Sequence, residues 1–203
     1  WKIMKETVKK ESTDKTPSPQ LTGNLFCSIL SGTPYPVTLI NQVMLRIRAE
    51  QEILREKAAI IKAFYLRNSQ DKDLKEVLAV SLVKDSQYIP YVLGRYFAVL
   101  EAIQEAASPG INTTIKDRYF NSASATPAFV FPILGKLANS HLQKIDNDSK
   151  GLSVHYKKKL GEIIDLIPNN EFPVQLTLPE QGAFQLGYYH ETQERYRNKK
   201  KEE

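Results

Sequence analysis

A chain of 203 residues that is 41% hydrophobic can bury one core without metals or disulfides, and its 28 Lys and Arg against 23 Asp and Glu leave a net charge of +5, which influences partners only where the basic residues cluster. The lone Cys27 excludes an internal disulfide framework and a Cys-rich zinc site, which suits a reducing cytoplasm. No run approaches the ~20 apolar residues that span a bilayer, and the first 20 residues are too polar for a secretory signal, so a soluble, cytoplasmic protein without membrane contact is expected.

Residues 1–24, rich in Lys, Ser, Thr and Pro, read as a linker ahead of a folded body, and the start at Trp1 points to a fragment or processed product. A helical bundle is expected over residues 25–197, followed by a flexible charged tail at 198–203. After Pro34 and Pro36, the residues Val37, Ile40, Met44 and Ile47 recur at the spacing of one buried helical face. Leu54, Ala58, Ile61 and Tyr65 mark a second helix. The segment YIPYVLGRYFAVLEAIQEAA is apolar on nearly every side and belongs at the centre of a bundle. In NTTIKDRYF, Thr113 or Thr114 supplies an N-cap, with Asp117 three residues after Thr114 as in a capping box; NSASATP then ends a short helix. Thr126 and Pro127 start the next helix, along which Val130, Ile133, Leu134, Leu137 and Ile145 line up. Tyr156, Leu160, Ile163 and Ile167 make a sixth helix that Pro168 stops, and FPVQLTLPEQ has room for one short extended segment. Pro179 opens a last helix carrying Phe184, Tyr188, Tyr189 and Tyr196. The pattern predicts an all-α bundle of about six to seven helices with no sheet and no repeat.

Chemistry is sparse. His141, His155 and His190 sit on three different predicted helices without a cysteine or an HExxH pair, so no metal ligand set and no cofactor is expected. His141 reads as a core histidine, and His190, in GYYHETQ, as a surface or bundle-edge residue. No GxGxxG, GxxxxGK[ST] or GxSxG motif occurs. Glu101 and Asp117 lie near Arg95, Lys116 and Arg118 in sequence, which suggests ion pairs ahead of acid–base work, so no catalytic residue is assigned and a non-enzyme is expected.

Positive charge is concentrated. Residues 46–67 carry six basic residues against three acids, and residues 135–160 carry six against two. Lys136 projects with Asn139, Ser140 and Gln143, a polar face able to meet phosphates without reading bases; an ordinary solvated face is the alternative. Tyr119, Phe120, Tyr188 and Tyr189 either stack on unpaired bases or belong to the core.

Three strings, YVLGRYFAVLEAIQ (91–104), NTTIKDRYFNSASATPAFVFPIL (112–134) and QGAFQLGYYHETQ (181–193), resemble the C-terminal part of the large subunit of type I-C CRISPR surveillance complexes, the type I-C Cascade. The resemblance runs from about residue 35 to about 197 and leaves residues 1–24 unmatched. It implies a helical bundle attached to a larger region that inspects the protospacer-adjacent motif, or the same bundle made separately by internal translation as the small subunit, for which Met4 is a conceivable start. It also implies a role in antiviral defence, holding the displaced non-target DNA strand near the crRNA–target heteroduplex. The implied partners are the backbone subunits, the large subunit and the helicase-nuclease. Arg95, Lys116 and Arg118 lie within the matching strings and lead the nucleic-acid-binding candidates, followed by Lys62, Arg67 and Lys136. Arg95 has a second reading as a buried partner of Glu101 or Asp117. A purely structural interaction module that scaffolds the complex or recruits the helicase-nuclease is the alternative function.

Overall fold

The computed structural model describes residues 18–32, 36–46, 51–68 and 75–202. Every α-helical element among them follows in order: α1 (Pro19–Ser31), α2 (Val37–Arg46), α3 (Gln51–Asn68), α4 (Lys75–Leu78), α5 (Ile89–Ala107), α6 (Ile115–Ala125), α7 (Pro127–Asp148), α8 (Lys150–Ile164) and α9 (Leu178–Glu202). One 3-10 turn at Pro168–Asn170 joins the last two, and no strand occurs among the described residues. The all-α expectation holds, with more helices than expected.

The additional helix at the start lies partly inside the segment read as linker. Ser18 caps it, its side chain accepting the Leu21 N–H at 3.3 Å, and Pro19 takes the first helical position. Gly32, at φ 65°, ends it in the left-handed conformation that glycine adopts without steric cost. Only Leu21 and Leu25 are buried in α1, too sparse a stripe to stand out from its polar surroundings. Residues 1–17, Met4 among them, lie outside the described residues, as do the side chains of Met44 and Leu54 and the whole of Ile47. At the other end, α9 stays helical through Glu202 across most of the expected tail, because Glu, Arg and Lys are good helix formers.

Two helices make the core. In α5 every residue from 90 to 104 is buried, and in α9 every residue from 181 to 193 is buried. α5 and α9 pack on each other, α3 covers another flank of α9, and α7 and α8 pack on α5 and on one another. The α5–α9 contact is a backbone contact. A Cβ on Gly94 would lie 1.9 Å from the Phe184 carbonyl oxygen, and one on Gly187 would lie 2.0 Å from that of Tyr91. Around this crossing Phe97 meets Phe120, Phe184 and Tyr188 edge-on, at centroid distances of 5.4, 5.9 and 6.0 Å, the arrangement that aromatic quadrupoles favour.

Several local expectations shift. Asp117 reaches back to accept the Thr114 N–H at 2.8 Å, so the capping box forms, but α6 runs on through the Asn-Ser-Ala-Ser-Ala segment to Ala125. On α7 the buried stripe is Val130, Phe131, Leu134, Ala138, Leu142 and Ile145, whereas Ile133 and Leu137 are exposed. α8 ends at Ile164, and Ile167 is buried from the turn beyond it. The segment expected to be extended straps the α6–α7 junction instead: Leu176 N–H donates to the Ala125 carbonyl and Ala128 N–H to the Pro173 carbonyl, each at 3.0 Å.

Candidate nucleic-acid interface

The structure divides the six candidate basic residues between interior and surface. Arg95 is 6% exposed. Its Nε donates to Glu191 at 3.1 Å, and its Nη1 donates to the carbonyls of Val83 and Lys84 at 3.3 and 2.8 Å. The buried-partner reading of Arg95 is therefore right in kind, but the partner is Glu191 and neither Glu101 nor Asp117. Lys116 points its ammonium into the bundle, 4.6 Å from the Tyr188 ring centroid and 5.4 Å from that of Tyr189. Burial lowers its pKa, although Glu101 and Asp117 pull the other way. Lys62 is half-buried and donates to the Ala79 carbonyl. Arg118 and Lys136 are exposed. The side chain of Arg67 lies outside the described residues.

The same sorting applies to the aromatics and histidines. Phe120, Tyr188 and Tyr189 are core residues, and Tyr119 is partly buried against that core. Tyr188 donates its hydroxyl to Glu101 at 2.5 Å, and Thr114 donates to the same carboxylate at 3.2 Å, so Glu101 is a satisfied buried acid whose pKa burial raises. His190 is 1% exposed, neither at the surface nor at a bundle edge, and its Nδ1 lies 2.9 Å from the Tyr91 hydroxyl. Burial pushes its pKa down to about 4, helped by Lys62, so it is neutral and closed to substrate. His141, expected in the core, is only partly buried, and Cys27 is exposed. Among the described residues no three His, Cys, Asp or Glu side chains converge on a possible metal position. No helix among them is long and apolar enough to cross a membrane.

What the surface offers is the solvent side of α7 and α8. Lys136, Lys144, Lys150, Lys157 and Lys158 are all exposed there, with Asn139, Ser140 and Gln143 beside Lys136. Their engagements are weak: Lys144 donates to Ser108 at 3.3 Å, Lys157 faces Asp146 at 3.6 Å, and Lys158 faces Glu162 at 3.9 Å. Exposed pairs of this kind contribute on the order of 0–1 kcal/mol and are readily exchanged for another anion. The N-terminal half of the same α7 face is apolar, with Phe129 66% and Ile133 49% exposed, and Val174 of the strap lies 65% exposed near them in the fold.

Comparison with known proteins identifies the setting of this surface. The profile of the family described as CRISPR-associated protein (Cas_Csd1) matches residues 1–196. The chain belongs to the Cas_Csd1 family. No curated protein matches it significantly. Within this Cas_Csd1 bundle, sequence reasoning overlooked Glu191 and counted Lys57 and Lys159 only as members of the basic clusters, without their partners in the interior. Glu191 is 2% exposed and holds both Arg95 and, at 2.6 Å, Lys159. Lys57 is buried beside the Tyr189 ring, and its pKa is lowered to about 8, chiefly by burial and further by Lys116. The signal existed on one side: Arg95, a charged residue amid the otherwise apolar α5, requires a charged partner in the core, whereas Glu191 is hidden among the polar residues of α9.

Proposed function

We propose that this Cas_Csd1 chain is a non-catalytic component of a type I-C RNA-guided surveillance complex that stabilises the R-loop through sequence-independent contacts to the displaced non-target strand. The observation that carries the reading is the set of exposed lysines on α7 and α8, for which the core has no use. R-loop formation exchanges one duplex for another of similar stability, so modest protein contacts to the displaced backbone tip the balance. Lysines in weak exposed pairs suit that task, since phosphates replace their partners at little cost. Arg118 and Lys136 stay in the contacting set; Arg95 and Lys116 leave it for the core.

The test is made in the assembled complex. Replacing Lys136, Lys150, Lys157 and Lys158 together by Gln is expected to leave assembly intact and to lower R-loop yield, with the gap to the unaltered protein narrowing as salt is raised. Unchanged yield across the salt series counts against the proposal. His190→Gln is expected to retain interference, because a buried neutral imidazole has no access to substrate.

A second reading, a structural module that binds neighbouring subunits or the helicase-nuclease, is favoured by the exposed Phe129, Ile133 and Val174. Phe129→Asp with Ile133→Asp then abolishes co-purification with the complex, while the lysine variant leaves R-loops untouched.

A further inference from the structure

Above α5, between α8 and α9, two cavities of about 250 and 340 Å³ adjoin, sharing His155, Lys159, Glu191 and Asn198 in their walls. Their sizes approach and enter the range of small-ligand sites, ~300–1,000 Å³. The two halves differ in chemistry. The smaller is lined by Lys84, Arg95, Lys158 and Lys159, with Glu162, Glu191 and Glu194 as its acids. The larger is lined by Ala98, Val99, Ala102, Leu152 and Tyr156, with Arg195 and Thr192 as further polar groups.

The charges do not cancel. Glu162 faces Lys158 at 3.9 Å and Glu194 faces Arg197 at 2.7 Å, while Arg195 is held by Glu105 at 3.1 Å. Glu191, however, serves two cations at once, Arg95 and Lys159, at 3.1 and 2.6 Å. Lys84 is exposed and has no ion-pair partner among the described residues. Arg95 lines the cleft with Nε and Nη1 engaged and Nη2 without a partner among the described residues. The smaller half therefore holds an excess of positive charge and rigid, pre-oriented donors. The larger half offers apolar walls with two aromatic rings, Tyr156 and His155, whose centroids lie 5.6 Å apart.

We propose that this cleft holds one unpaired nucleotide, its phosphate at the Lys84–Arg95–Lys158 end and its base in the apolar half against Ala98, Ala102, Leu152 and Tyr156. An anion joined to a flat apolar body is the ligand that such halves complement, and base–aromatic stacking tolerates any base. The choice of a nucleotide over another anionic amphiphile rests on the nucleic-acid reading above. No residue of α7 lines the cleft, and Lys158 of α8 borders both the cleft and the lysine-bearing surface, so the cleft gives the displaced strand an anchoring point that continues a charged slope.

The experiment records amide shifts of the isotopically labelled full chain on titration with thymidine 5′-monophosphate, a short oligothymidylate and inorganic phosphate. Both nucleotide probes are expected to move the amides of Ala98, Ala102, Leu152, His155 and Asn198. Lys84→Gln with Lys158→Gln, both at exposed positions, is expected to weaken the nucleotide roughly tenfold. Leu152→Gln is expected to weaken the nucleotide and leave inorganic phosphate unchanged, which distinguishes the base half from the anion half; retained spectral dispersion checks the fold of each variant. Equal affinity for inorganic phosphate and nucleotide overturns the assignment. So does an oligothymidylate that moves only α7 amides and leaves the cleft silent, a result that spares the general strand-binding reading. No shift with any probe at low salt, together with unchanged R-loop yield in the α7–α8 lysine variant, overturns both.

Discussion

Gly94 and Gly187 are the positions at which the bundle tolerates no added atom. With a Cβ 1.9 Å from a carbonyl oxygen, neither a rotamer change nor a flexible neighbour relieves the clash, and α5 and α9 must separate. Gly94→Ala is therefore expected to destabilise by about 3 kcal/mol or more, beyond ordinary overpacking, seen as a large drop in the midpoint of thermal unfolding. Gly135 has nothing within 4 Å of a Cβ, so Gly135→Ala is expected to be neutral or to stabilise α7 by roughly 0.5–1 kcal/mol. His190 makes a pH prediction. Its folded pKa of about 4 lies below the ordinary 6.5, so the unfolded chain binds the extra proton between those values. The stability tied to a neutral His190 is fully present above about pH 6.5 and is lost as the pH falls towards 4, on the order of 3 kcal/mol. Denaturant melts across this window are expected to show that slope, and His190→Asn, which keeps an acceptor for the Tyr91 hydroxyl, is expected to flatten it.

At the scale of elements, α5 and α9 are joined by the Arg95–Glu191 pair as well as by their glycines. Removing one buried charge leaves the other uncompensated, so Glu191→Leu alone is expected to cost about 3–5 kcal/mol. Combined with Arg95→Met it should cost much less, and a double-mutant cycle in denaturant measures the difference. Much of this architecture was readable beforehand. The apolar circumference of YVLGRYFAVLEAIQ announces a central helix, and Asp117 three residues after Thr114 announces the start of α6. What was illegible is instructive. α1 escaped because Leu21 and Leu25 are its only buried residues, and α7 was given too wide a core face because Ile133 and Leu137 are apolar yet outward. Periodicity locates hydrophobic residues without saying whether this chain or another covers them. Among the basic candidates the failure was of a related kind. Arg95 and Lys116 lie in strings that are distinctive because they build the core, so distinctiveness marks buried residues, whereas the plain count of lysines over residues 135–160 marks the exposed ones.

For the whole molecule, the net charge of +5 is unevenly placed: Arg95, Lys57 and Lys116 are buried or enclosed by rings, the acids Glu76, Glu101 and Glu191 are buried too, and exposed lysines lie along α7 and α8. Binding to single strands should then fall steeply with salt. Each phosphate contact removed lowers the logarithmic slope by about 0.7, so an Ala variant at Lys136, Lys150 and Lys157 is expected to lower it by about 2, as read from affinity measured over a salt series. The order of the core helices along the chain has a consequence for biosynthesis. α5, buried on all sides, finds its main partner only in residues 181–193, so at about 5–20 residues per second the ribosome exposes α5 for several seconds before α9 emerges. During that interval an oily rod waits without its cover. Nascent chains halted before Gln181 should aggregate or recruit chaperones, whereas chains released after Gln193 can close around the two glycines and bury the whole of that rod.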